Sequence, residues 1–109
     1  MSPGVPESDW KVFRQLREVA LEELAARVLA ELMAIAGDAS QRHHERYLAI
    51  WELLRERDRE VARCFDNPGR SRMIEQLAAM HGRGLLSVED LERFTQSTRS
   101  RVAELVDQR

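Results

Sequence analysis

The chain has 109 residues, 43% hydrophobic and 33% charged, with a formal net charge of −2. That length suits one domain able to hold a core without staples, and the balance excludes a disordered or fibrous chain. A single cysteine, Cys64, excludes an intramolecular disulfide and predicts a reducing, cytoplasmic setting, while the slightly acidic balance disfavours general nucleic-acid binding.

Residues 1–8 hold Pro3, Gly4 and Pro6 ahead of any periodic pattern and read as a flexible lead, with Ser8 or Asp9 as the first N-cap. They form neither a basic nor an apolar leader, and later apolar runs are only a few residues long, so neither secretion nor membrane spanning is expected. A helix is predicted over 9–36, where Phe13, Leu16, Ala20, Leu24, Val28, Leu32 and Ile35 recur at three- and four-residue spacing. Gly37 is the expected left-handed stop. Asp38 or Ser40 then caps a second helix over 40–66, with Tyr47, Ile50, Trp51, Leu54, Val61 and Phe65 as its stripe.

Two long helices joined by so short a link must lie antiparallel, as an αα-hairpin. Asn67-Pro68 suggests the start of a third helix over 68–82, and Gly82-Arg83-Gly84 its end. Ser87, with Asp90 three residues on, predicts a capped short helix over 88–94, and Thr95 or Ser97 a last one over 96–106. The fold class is therefore all-α, a single helical domain over 9–109: a long antiparallel hairpin plus two or three shorter helices. No fixed repeat indicates a solenoid.

The second half of the first helix is apolar over about half its circumference at ~100° per residue. Either the third and last helices cover it, through Leu77, Met80, Leu85, Val102 and Leu105, or a second copy does. The expected dimer interface is Leu21, Ala25, Leu29, Leu32 and Ala36, and buried aromatic anchors such as Trp51 and Trp10 would suit either arrangement.

In the second helix Asp58 falls on the stripe of Leu54, Val61 and Phe65, so it is expected to be buried and paired with Arg17, Arg70 or Arg72. Arg42, His43, His44 and Arg46 crowd cations into the first turns, where exposed N–H groups favour an anion; a phosphate, acidic peptide or nucleic-acid backbone could dock there. The alternative is a solvated basic turn balanced by Glu45. Adjacent histidines point apart, so no metal centre is expected. Cys64 and His81 lack a recognisable base or nucleophile partner, and neither catalytic residues nor a cofactor are expected.

The stretch Ile74-Glu75-Gln76-Leu77 through Gly84-Leu85-Leu86-Ser87-Val88-Glu89-Asp90-Leu91-Glu92-Arg93-Phe94 resembles the short helical hairpins called SHOCT modules. The resemblance implies oligomerisation or other protein contacts. The front part, Ser8 to Phe13 and His44 to Leu48, is similar to small bacterial all-helical proteins without an assigned function. The spacing Ala78, Gly82, Ser87 also looks like a helix-turn-helix, but Glu89, Asp90 and Glu92 would face phosphates against Arg93 alone. The expected function is a non-enzymatic interaction or oligomerisation module whose partner is a second copy. The alternative is an anion- or nucleic-acid-backbone-binding regulator using the basic start of the second helix.

Overall fold

A computed structural model describes residues 4–107 and shows an all-α architecture without strands among them. The helices are α1 (Glu7–Ala36), α2 (His43–Phe65), α3 (Met73–Gly82), α4 (Val88–Leu91) and α5 (Gln96–Asp107), with a single 3₁₀ turn, Arg70–Arg72, before α3. Helices α1 and α2 form the expected hairpin, and α3 packs on α1, α2 and α5.

The core sits at one end of this hairpin. Phe13, Leu16, Ala20 and Leu24 of α1 meet Cys64 and Phe65 at the end of α2, and Leu77, Met80, Leu85, Phe94 and Val102 close over them. The third and last helices thus cover the first half of α1, and not the second half as one of the two expected arrangements had it. A 30-residue helix is about 45 Å long, whereas α3 and α5, of 10 and 12 residues, reach less than half of it. The remainder of α1 and α2 projects as a two-helix arm, which explains extents of 54 × 26 × 23 Å.

Several predicted starts and stops move. Helix α1 begins at Glu7 behind Pro6, so neither Ser8 nor Asp9 caps it, and Val5 already packs on the core. Residues 1–3 of the expected flexible lead lie outside the described residues. Gly37 ends α1 in right-handed geometry, φ −89°. Asp38 folds onto Ser40 in the loop, accepting from its N–H and hydroxyl, so α2 starts at His43 with no side-chain cap. Asn67 takes a left-handed φ of 49° instead of capping a helix, and α3 begins only after the 3₁₀ turn. The capping box at Ser87 and Asp90 forms as expected, although α4 closes after Leu91.

At the end of α3 the Leu85 N–H reaches Met80 O, and the Gly84 N–H reaches His81 O, with Gly84 at φ 70°. This double closure requires a left-handed residue. Gly84→Ala is expected to cost about 1 kcal/mol, read from chemical denaturation, because a Cβ strains that conformation although nothing blocks it closely. Unchanged stability would mean that the turn relaxes.

Arginines satisfy carbonyls at the ends of α1, α2 and α3 or in the turns that follow. Arg46 Nη1 donates to Ala36 O at 2.6 Å, Arg17 Nη2 to Phe65 O at 2.9 Å, and Arg72 Nη1 to Asp66 O at 3.0 Å. Arg27 forks onto Arg83 O and Gly84 O. Helix C-termini present orphan carbonyls and negative dipole, and a planar fork suits both.

Candidate interaction surface

Beyond Leu24 the arm has one buried side chain, Leu53. On α1, Leu29 is 57% exposed and Met33 71%; on α2, Trp51 is 55% exposed, with Tyr47, Leu48 and Leu54 also open. Helical spacing decides how they group. The side of α1 that meets the core carries Phe13, Leu16, Ala20 and Leu24, and a rotation of about 100° per residue puts Ala25, Leu29, Leu32 and Ala36 on a different side. On α2 the same rotation separates Tyr47, Trp51 and Leu54 from Leu53, Arg57 and Cys64, which face inward. Both sets thus lie off the sides that meet the core, and most of their members are exposed.

Of the expected interface residues, Ala25, Leu29 and Ala36 are exposed and Leu21 and Leu32 half-buried. The structure extends this set across the hairpin to Tyr47, Trp51 and Leu54. The two aromatic anchors part company: Trp10 is half-buried and stacks on Phe13 at 5.4 Å, far from the arm, whereas Trp51 stands in the open strip.

Asp58 corrects another expectation. It is exposed, and each arginine proposed for it is engaged elsewhere: Arg17 with Phe65 O, Arg70 with Glu7 at 2.7 Å, and Arg72 with Asp66 O. The inward charge is its neighbour Arg57, which grips Glu31 of α1 bidentately at 3.1 and 2.9 Å and Glu60 at 3.1 Å. Glu60 also meets Arg83 at 3.4 Å. The hydrogen bond from Arg57 holds the Glu31 carboxyl below its usual pKa, against the opposing effect of burial. The charged break in the stripe is therefore a clasp joining α1, α2 and the end of α3. Asp58→Ala is expected to change unfolding free energy by less than about 0.5 kcal/mol, as at an ordinary surface position; a loss above 1 kcal/mol would mean an unseen partner.

At the tip, Arg42, His43, His44 and Arg46 line one shallow depression together with Ala39 and Ser40. Two of its groups already have partners, since Arg46 caps Ala36 O and the His44 ring stacks against Tyr47 at 6.1 Å. Arg42 and His43 are exposed without hydrogen-bond or ionic partners. No group of three His, Cys, Asp or Glu side chains suited to a metal occurs among the described residues. Cys64 is fully buried, and His81 Nδ1 lies 3.4 Å from Leu86 O. Helix α4, at four residues, is too short to serve as a recognition helix in a groove of DNA. Among the described residues no helix is long and apolar enough to cross a membrane.

One residue with a large structural role escaped the sequence reading. Asp9 is 1% exposed, and its carboxylate accepts from Thr95 N–H at 2.9 Å, Thr95 Oγ1 at 2.7 Å and Thr98 Oγ1 at 2.6 Å. It ties the start of α5 to the first turn of α1. The hydroxyls of Thr95 and Thr98, three apart at a helix start, were the only available signal. No family model, curated protein or solved structure matches the chain.

Proposed function

We propose that the protein is a non-enzymatic helical interaction module that pairs with a second copy through the arm. The observation that carries this reading is the open strip of Leu29, Tyr47, Trp51 and Leu54 on two rigidly joined helices. Monomeric proteins rarely leave large contiguous apolar patches in water, and two antiparallel helices offering such a strip complete a four-helix core when a two-fold axis adds an identical pair. The same strip then lies on both sides of the contact, so self-complementarity needs no further partner.

The SHOCT-like segment supports an interaction role by resemblance. Its own apolar side, Leu77, Met80, Leu85 and Leu86, is buried in the core, so the contact is assigned to the arm. Light scattering on the eluting full chain tests the proposal: a mass of twice 12.6 kDa at micromolar concentration is expected, and a folded monomer there overturns it.

A further inference from the structure

We propose a second, separate site: a cationic groove at the base of α1 that binds a small phosphate monoester. A groove of about 500 Å³ is lined by Trp10, Lys11, Arg14, Arg17, Glu18 and Pro68, among others. Lys11, Arg14 and Arg17 recur every three residues in the first half of α1, bringing three cations to one groove in a chain whose net charge is negative. Lys11 and Arg14 are exposed, with neither hydrogen bond nor ion pair.

Arg17 is held in place. Its Nη2 donates to Phe65 O at 2.9 Å, its guanidinium lies 5.7 Å from the Phe65 ring centre, and its shielded Nε has no acceptor. The acidic groups nearby do not cancel this charge. Glu7 is taken by Arg70 at 2.7 Å, and Glu18 stands 3.8 Å from Arg17 as the only carboxylate lining the groove. Arg70 in turn sits 5.5 Å over the Trp10 ring and Phe13 stacks on the same ring at 5.4 Å. The indole is thus already packed by side chains and provides an apolar wall, which points to a compact ligand with a small apolar body.

A phosphate monoester carries close to two charges at neutral pH and three acceptor oxygens, matching two unpaired cations beside a third fixed one. At the tip of the arm the one arginine without a partner is Arg42, against both Lys11 and Arg14 in this groove.

The test is a titration of the full chain with inorganic phosphate, glycerol phosphate and acetate, followed by amide NMR and calorimetry. Saturable binding of both phosphates, shifting amides around Lys11, Arg14 and Pro68, is expected, with acetate much weaker. The Lys11→Ala, Arg14→Ala double variant changes two exposed side chains, so circular dichroism should match wild type while affinity falls about tenfold or more. Absence of saturation, equal affinity in the double variant, or shifts confined to residues 39–46 overturns the site. Tighter binding of an RNA or DNA oligomer than of glycerol phosphate would replace the monoester with a nucleic-acid backbone and equally defeat the assignment.

Discussion

Leu29→Glu is expected to turn a dimer into a folded monomer. Leu29 is more than half exposed within one chain, so the carboxylate stays hydrated there, and helix content and melting of the separated subunit should hold. In the paired state the two-fold relation brings both copies of the strip together, and a glutamate buried without a partner costs several kcal/mol. About 3 kcal/mol of lost association corresponds to roughly a hundredfold weaker Kd, enough to dissociate the pair at micromolar concentration. Trp51→Glu, on the facing helix of the same strip, should act likewise, whereas Asp58→Ala should leave the mass unchanged. A dimer that survives both glutamates would place the contact elsewhere. An unfolded Leu29→Glu chain would show that the side chain supports the monomer core.

Asp9→Ala should be among the most damaging single changes in the polar set, costing about 2–4 kcal/mol by denaturant titration. Removing the carboxylate strands the Thr98 hydroxyl, which is buried, together with the Thr95 N–H and hydroxyl. The docking of α5 against the start of α1 depends on these bonds, so amide exchange should accelerate first in α5. Asp9→Asn keeps an acceptor and should cost less. A variant as stable as wild type would show that water replaces the carboxylate without loss.

The same group makes stability depend on acid. Desolvation by burial pulls the Asp9 pKa up, but the hydrogen bonds from the Thr98 side chain and from the Thr95 side chain and backbone outweigh it, and the net shift is downward from 3.8. A carboxyl more acidic in the folded than in the unfolded chain contributes stability that is full above its unfolded pKa and is lost as pH falls through the folded one. Wild type is therefore expected to lose stability below about pH 4 more steeply than Asp9→Asn, whose titration lacks this group. Parallel acid profiles for the two would deny the linkage.

Local signals in the sequence were read correctly where the neighbouring residues alone decide the conformation. Ser87 and Asp90 close their capping box within one turn, and Gly84 takes the left-handed angle that ends α3. The two long helices follow from uninterrupted helix-forming stretches, and their antiparallel pairing from the short link between them. Caps near the chain start and the 37–42 loop were misplaced, because Asp9 and Asp38 each have a choice of partners that composition does not rank. Asp9 left its own helix for Thr95, 86 positions away, and Asp38 chose Ser40.

The second helix shows why periodicity alone misassigned a charge. Its apolar residues serve two faces: Ile50, Leu53 and Cys64 lie toward the interior, and Tyr47, Trp51 and Leu54 open to water. At about 100° per residue Asp58 falls on the open side with Tyr47, Trp51 and Leu54, so a stripe taken to be the buried side through those residues makes Asp58 look buried, while the side chain that turns inward is Arg57.

The amino-acid sequence by itself determined that this chain is all helical, that two long helices pair, and that α1 carries more apolar surface than one neighbour can cover. Only the tertiary structure decided which part of that surface stays open. The reason is length: α3 and α5 are too short to follow α1 beyond its first half, and the long-range bonds of Asp9 and Arg17 anchor α5 and the end of α2 at that half.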